Sequence, residues 1–273
     1  MDERMWRMSR NWLRGGVLGA LMVVQPAVAQ TAPEAPPAAK APAAAAKAPA
    51  AQLTPEQVLT QADRGQNGFQ SFVVDVRITN YVREKVDKVT NYQVFIKGGG
   101  RSLVKFTDPE DSGKYLLTVD EFMWIYLKSA SRPVRVTPLQ RLSGNASNGD
   151  VAQTSLLENY QPTAMTEDVL DGKPVYVMDL VAKRKSATYQ GTRYWIAKDT
   201  LLPIKAEYNL GSGKASKRAF FLEYQTVDGR QVLRRQEIHD LLRNQEKSVL
   251  EYSNYVRREL PDKMFNKNFR QEL

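Results

Sequence analysis

The chain has 273 residues, a formal net charge of +9, no cysteine and a single histidine, His239. Disulfides, cysteine-based metal centres, histidine-rich metal sites and any catalytic scheme that needs two histidines are excluded, while serine–lysine and carboxylate schemes stay open. A basic balance of this size draws a protein towards anionic partners.

Residues 1–14 hold four arginines, residues 15–24 form an apolar run of mostly small residues, and Ala27-Val28-Ala29 follows. That is the layout of a secretory signal peptide cleaved before Gln30 or Thr31, and the run is too short to cross a bilayer. Residues 1–29 are therefore expected to be a leader, and the product to work in the periplasm. With no cysteine near the cleavage point to accept a lipid anchor, it is expected to be soluble there. The arginines set against Asp2 and Glu3 put +2 in the leader and +7 in the remainder. Outside the cytoplasm that charge meets an anionic membrane surface or wall polymer, and nucleic acid is not an expected partner. Residues 30–52, almost all Ala and Pro, read as a disordered linker that gives reach. Residues 53–273 suffice for one domain with its own core.

Thr54-Pro55-Glu56-Gln57 predicts a capped helix that runs to Asp63 or Arg64 and stops before Gly65 and Gly68. Alternating apolar residues then predict strands over 69–81, 86–96, 101–106, 114–119 and 122–127, with a brief continuation at 134–136. The pattern breaks over 138–160. Ser143 to Asp150 reads as a long polar loop, a candidate mobile gate, and 151–159 as a short helix. Strands resume at 165–170, 173–182, 191–197, 203–209, 216–227, 232–240 and 246–255, punctuated by the hairpin signals Asp171-Gly172, Gly211-Ser212-Gly213 and Asp228-Gly229. Phe265 with Phe269 predicts a short C-terminal packing element.

Crossover helices are lacking, so a parallel sheet is disfavoured. The expected fold is mainly antiparallel β: a single curved half-barrel sheet of about ten or eleven strands, its concave face covered by short helices. Small helices that fill such a face incompletely would leave an apolar cavity suited to greasy ligands. Candidate cavity residues are Phe72, Val74, Phe106, Leu116, Trp124, Tyr126, Tyr194 and Trp195. Trp124 and Tyr126 share one face of a strand and offer large, rigid apolar area. Arg132 and Arg135, with Arg141, form a basic turn whose guanidinium groups suit phosphate headgroups or an acidic docking surface. The basic runs 183–185 and 214–218 read as charged hairpin tips. Asp108, Glu110 and Asp111 sit around a proline turn, where acids are common, and no nucleophile constellation accompanies them or His239.

Several stretches, in order, resemble the outer-membrane lipoprotein-sorting (LolA/LolB-like) superfamily. They are Ser102-Leu103-Val104-Lys105-Phe106-Thr107-Asp108-Pro109 running on to Leu117, Met123-Trp124-Ile125-Tyr126-Leu127, Arg132-Pro133-Val134-Arg135-Val136, residues 172–178, residues 195–205 and Asp228-Gly229. The likeness extends over about residues 53–273 and is nearest to a branch found beside resistance-nodulation-division (RND) type transporters. It implies a LolA/LolB-like half-barrel plugged by helices. It also implies a non-enzymatic periplasmic carrier of lipid or lipoprotein acyl chains that needs no cofactor and partners an inner-membrane RND-type transporter. The chain departs from that branch at Asn148-Gly149-Asp150-Val151-Ala152-Gln153, where two aromatic residues are missing.

Overall fold

The computed structural model describes residues 52–152, 155–243 and 245–268. The expected leader, nearly all of the expected linker, and Phe269 lie outside the described residues.

Helix α1 (Pro55–Asn67) starts as its sequence dictates. The Thr54 hydroxyl accepts the Gln57 amide at 3.3 Å, and Gln57 Oε1 accepts the Thr54 amide at 2.9 Å. Pro55 sits in the first turn, where its missing N–H costs nothing. The expected stop before Gly65 falls short, because the helix continues to Asn67 and ends at Gly68, φ +61°. Gly65 is buried with Leu202 where a side chain would stand, so close packing and not termination accounts for that glycine.

The strands are β1 (Ser71–Val82), β2 (Lys85–Lys97), β3 (Arg101–Phe106), β4 (Tyr115–Val119), β5 (Phe122–Tyr126) and β6 (Val134–Val136), then β7 (Arg141–Ser143) and β8 (Ala146–Ser147). After α2 (Asn148–Val151) and α3 (Leu156–Asn159) come β9 (Tyr160–Leu170), β10 (Lys173–Ala182), β11 (Gly191–Ala197), β12 (Pro203–Asn209), β13 (Ala215–Val227), β14 (Arg230–Asp240) and β15 (Glu246–Arg257). One open, curved, antiparallel sheet has the order β6-β5-β4-β3-β2-β1-β15-β14-β13-β12-β11-β10-β9. It has thirteen strands where ten or eleven were expected. Two meanders join at the β1–β15 ladder, where Ile78 faces Leu250. Asp171-Gly172 and Asp228-Gly229 both take left-handed φ at each position, the geometry of two-residue hairpins.

Between the meanders, residues 137–152 and 155–159 fold back over one face of the sheet as the β7–β8 hairpin, α2 and α3. With α1 it covers what is hereafter the inner face. Alternation along each strand sorts the apolar residues. Phe72, Val74, Val104, Phe106, Leu116 and Met123 pack inward against Val58, Leu59, Ala62, Val151 and Leu156 of the cover. Val73, Phe95, Leu103, Tyr115, Leu117 and Tyr126 form a second cluster on the outer face, under Leu260 and Phe265.

Candidate functional site

The expected cavity residues separate onto two faces. Phe72, Val74, Phe106, Leu116 and Tyr194 do share the inner face, but as packed core: Phe72, Val74 and Leu116 have no exposed surface. Phe72 lies edge-on to Phe69 and stacks on Tyr255, Phe106 meets Tyr92 edge-on, and Tyr194 stacks on Phe221. Trp124 and Tyr126 lie on the outer face. Tyr126 stacks on Tyr115 at 4.2 Å and its hydroxyl donates to the Lys267 carbonyl, while the Lys267 ammonium lies 3.9 Å from the Trp124 ring. Trp195 carries the Lys205 ammonium at 3.9 Å. Arg132 and Arg135 are exposed near the free edge of the sheet, and Arg135 stacks over Phe122 at 4.2 Å. The ten residues therefore do not converge on one site.

The segment expected to be a mobile polar gate is instead a buried plug. Asn80 Nδ2 donates to Ser143 Oγ at 2.9 Å, Ser248 Oγ donates to Asn80 Oδ1 at 2.7 Å, and the Asn145 amide donates to Ser248 Oγ at 2.8 Å. Asp150 accepts the Ser147 amide and hydroxyl at 2.9 and 2.6 Å and the Tyr189 hydroxyl at 2.9 Å. It also pairs with Lys217 at 3.3 Å, the two side chains being 8% and 15% exposed. Polar residues of distant strands thus supply the hydrogen bonds that water would give a surface loop. Two basic runs have the same explanation. Lys183 and Arg184 donate to the Leu157 and Glu158 carbonyls, and Lys217 and Arg218 reach Asp150 and Glu207, so these cations fasten the cover and the strands. The acids around Pro109 are structural too: Asp108 accepts the Asn91 amide at 2.8 Å, and Asp111 pairs with Lys114 at 3.3 Å.

Beneath the plug is a cavity of about 70 Å³, walled by Tyr160, Tyr189, Tyr194, Tyr208 and Tyr252. Burial pushes the Tyr194 phenol up to about 12 and those of Tyr189 and Tyr208 well above the usual range, so all three are neutral donors at physiological pH. Thr188 and Thr192, also in its wall, have hydroxyls without a hydrogen-bond partner among the described residues. This space suits about two waters, and it is about half the roughly 150 Å³ of an apolar cavity that takes up benzene. It does not admit a hydrocarbon tail.

A larger opening lies at the end of the inner face. A pocket of about 440 Å³ is bounded by the C-terminal turn of α1, the glycine turn 98–100, α3 and the start of β14. Phe69, Ile96, Ala152 and Leu157 give it apolar wall, and Arg64, Lys97, Arg101 and Arg230 stand around it. Asp63 accepts the Leu156 amide at 2.6 Å and the Ser155 hydroxyl at 3.1 Å, joining α1 to the segment that carries α3. Glu158 Oε1 accepts the Gly99 amide at 3.0 Å, which holds α3 to the glycine turn. A second cleft of about 690 Å³ adjoins it, lined by Arg257 and Arg258 among others. None of the ten expected residues lines either opening. The signals that would have pointed here are Gly98-Gly99-Gly100 followed by Arg101, and Arg257-Arg258 at the end of the last strand.

An open thirteen-stranded antiparallel sheet, covered on one face by short helices and opening at one end into a pocket with a cationic rim, defines the architecture. A family model described as an uncharacterized protein matches residues 98–270. Among solved structures, a LolA superfamily protein from Nitrosomonas europaea is 31% identical, with 80% of this chain and 100% of that chain covered at a TM-score of 0.75. A DUF1329 family protein from Desulfovibrio piger is 22% identical, with 79% and 97% covered and a TM-score of 0.68. A domain assigned to outer membrane lipoprotein sorting from Vibrio parahaemolyticus is 17% identical, with 78% and 96% covered and a TM-score of 0.66. No curated protein matches the chain. The chain belongs to the LolA superfamily.

Proposed function

We propose that this protein is a periplasmic carrier that shields a lipid, or the acyl chains of a lipoprotein, on the way towards the outer membrane, in partnership with an inner-membrane RND-type transporter. The observation that carries the reading is the 440 Å³ pocket with Phe69, Ile96, Ala152 and Leu157 in its wall, a volume within the range of small-ligand sites. Membership of the LolA superfamily supports it. The tail is seated at the open end of the inner face, because the middle is filled. A leader at 1–29 would deliver the domain, and a linker at 30–52 would let it reach a membrane partner. The test is mass spectrometry of an organic extract of the exported protein, purified without detergent. About one acyl lipid per chain is expected, and less from Leu157→Trp, which narrows the pocket. A lipid-free extract from the unaltered protein overturns the reading.

A second reading, a non-carrying adaptor of a membrane transporter, is favoured by a different observation. Phe122 and Val134 are exposed beside Arg135 at the free β6 edge, with Arg132 just before it. Under that reading, replacing Arg132 and Arg135 with Glu abolishes co-purification with the transporter, and Leu157→Trp leaves it unchanged.

A further inference from the structure

The pocket and the cleft share Phe69, Gln70, Lys97, Gly98, Arg101 and Arg230, so an apolar wall runs directly into a cationic one. The cleft is lined by five cationic side chains against one carboxylate, Glu259. Two of the five are engaged. Lys97 and Arg101 reach Asp262 at 2.7 and 2.8 Å, and Lys97 also reaches Glu259 at 3.3 Å. Arg230 and Arg257 differ: among the described residues neither has a carboxylate partner. Both guanidinium groups are drawn to the Phe69 ring, at 5.4 and 5.9 Å from its centroid. Phe69 is buried. Arg230 gives one N–H to the Gly68 carbonyl at 3.1 Å, which leaves most of its planar donor set open. Two like charges gathered on one ring repel each other, and an anion between them removes that repulsion while accepting forked hydrogen bonds.

A second, independent feature lies in the pocket wall. Ser102 of β3 and Thr118 of β4 are direct cross-strand neighbours on the inner face, only 3% and 6% exposed. Among the described residues their hydroxyls have no hydrogen-bond partner. Buried hydroxyls are ordinarily paired. After a χ1 rotation they can meet the ester or hydroxyl oxygens that join a headgroup to its chain.

We propose that this opening binds a phosphate ester bearing an acyl chain. The phosphate sits on Arg230 and Arg257, the oxygenated neck meets Ser102 and Thr118, and the tail lies along Ile96 and Leu157. The tail's place rests on the carrier reading, whereas the phosphate site stands on the cleft alone.

The experiment is calorimetric titration of the full chain, and of R230Q/R257Q, with three probes below their micelle concentrations. Lysophosphatidate supplies head and tail, a monoacylglycerol of equal chain length supplies the tail alone, and inorganic phosphate supplies the head alone. Lysophosphatidate should bind at least about tenfold tighter than the monoacylglycerol, the size of one charge-assisted contact. That preference should vanish in R230Q/R257Q, which should still take up the monoacylglycerol and still unfold in one cooperative transition. Equal affinities, or a preference that survives R230Q/R257Q, overturn the phosphate site and leave the carrier reading standing. Arginine-dependent binding of inorganic phosphate with neither amphiphile retained upholds the phosphate site and overturns the carrier. No binding of any probe overturns both.

Discussion

Asp63 of α1 accepts the backbone amide of Leu156 at 2.6 Å, across 93 positions of sequence, and so fastens α1 to α3 over the inner face. The same carboxylate accepts Asn67 Nδ2 at 2.8 Å and the Ser155 hydroxyl at 3.1 Å. Removing it by Asp63→Ala leaves a buried amide without an acceptor. The loss should be about 1–3 kcal/mol, read from urea denaturation.

The pH response of this contact has a definite sign. Burial raises the Asp63 pKa above the usual aspartate value of 3.8, so the native state holds its proton more tightly than the unfolded chain does. The resulting stabilisation is complete below the unfolded pKa and is lost as pH rises through the folded one. Asp63→Asn stays neutral throughout. The Tm of D63N relative to the parent should therefore rise as pH increases from about 4. A difference that stays flat, or falls, would show that Asp63 is ionised in the native state at no cost. Asp262 acts in the opposite sense. Lys97 holds its carboxyl below the usual range, so its stabilising share is lost as pH falls.

The buried pair of Asp150 and Lys217 predicts an asymmetry. Asp150→Ala strips partners from Ser147, Tyr189 and Lys217 together and should cost about 3–5 kcal/mol, as expected when one side of a buried ion pair is removed. Lys217→Met leaves Asp150 its neutral donors and should cost less, about 1–2 kcal/mol. Denaturant melts of both single variants and the double variant measure the coupling. Equal losses from the two single changes would mean that the ion pair, and not the donor set, holds the plug.

Glycine positions separate a packed plug from a loose loop. A Cβ at Gly144 would overlap the Asn80 side chain, at a backbone φ of +52°. A Cβ at Gly149 would overlap Thr188. Gly213 also has a positive φ, +81°, but nothing stands within 4 Å of an added Cβ. Gly144→Ala should thus cost about 2–4 kcal/mol, combining overpacking and strain, and Gly213→Ala about 1 kcal/mol. Comparable effects at the two positions in thermal melts would restore the reading of residues 143–150 as a mobile gate.

Local rules made much of the fold legible. The capping pair Thr54 and Gln57, the two Asp-Gly turns and the alternation in β1 each act within a few residues. What they did not decide was facing. Alternation places Trp124 and Tyr126 together, yet whether they meet the inner helices or the outer C-terminal segment depends on partners such as Leu260, over 130 positions away. The plug was illegible for a related reason. Ser143, Asn145 and Asn148 are polar, and their burial depends on partners such as Asn80, Thr90, Ser248 and Thr137, which lie elsewhere in the chain. The basic opening escaped notice because Lys97, Arg230 and Arg257 belong to three separate strands, and no single run of sequence displays their cluster.

Phe72 decides between a wall and a core. It has no exposed surface, meets Phe69 edge-on at 6.2 Å, and stacks on Tyr255 at 5.8 Å. A side chain lining an open ligand cavity would already lack neighbours on one side, and its truncation would mainly change binding. A side chain enclosed by aromatic neighbours loses its transfer free energy and leaves a void that the sheet cannot close. Phe72→Ala should accordingly destabilise the domain by about 3–5 kcal/mol in urea titration. The void it opens lies behind Phe69, beside the pocket, so the variant should also take up a small apolar probe such as benzene, which the parent excludes from its middle. A loss below about 1 kcal/mol would instead mark Phe72 as ligand wall and return the acyl site to the centre of the sheet.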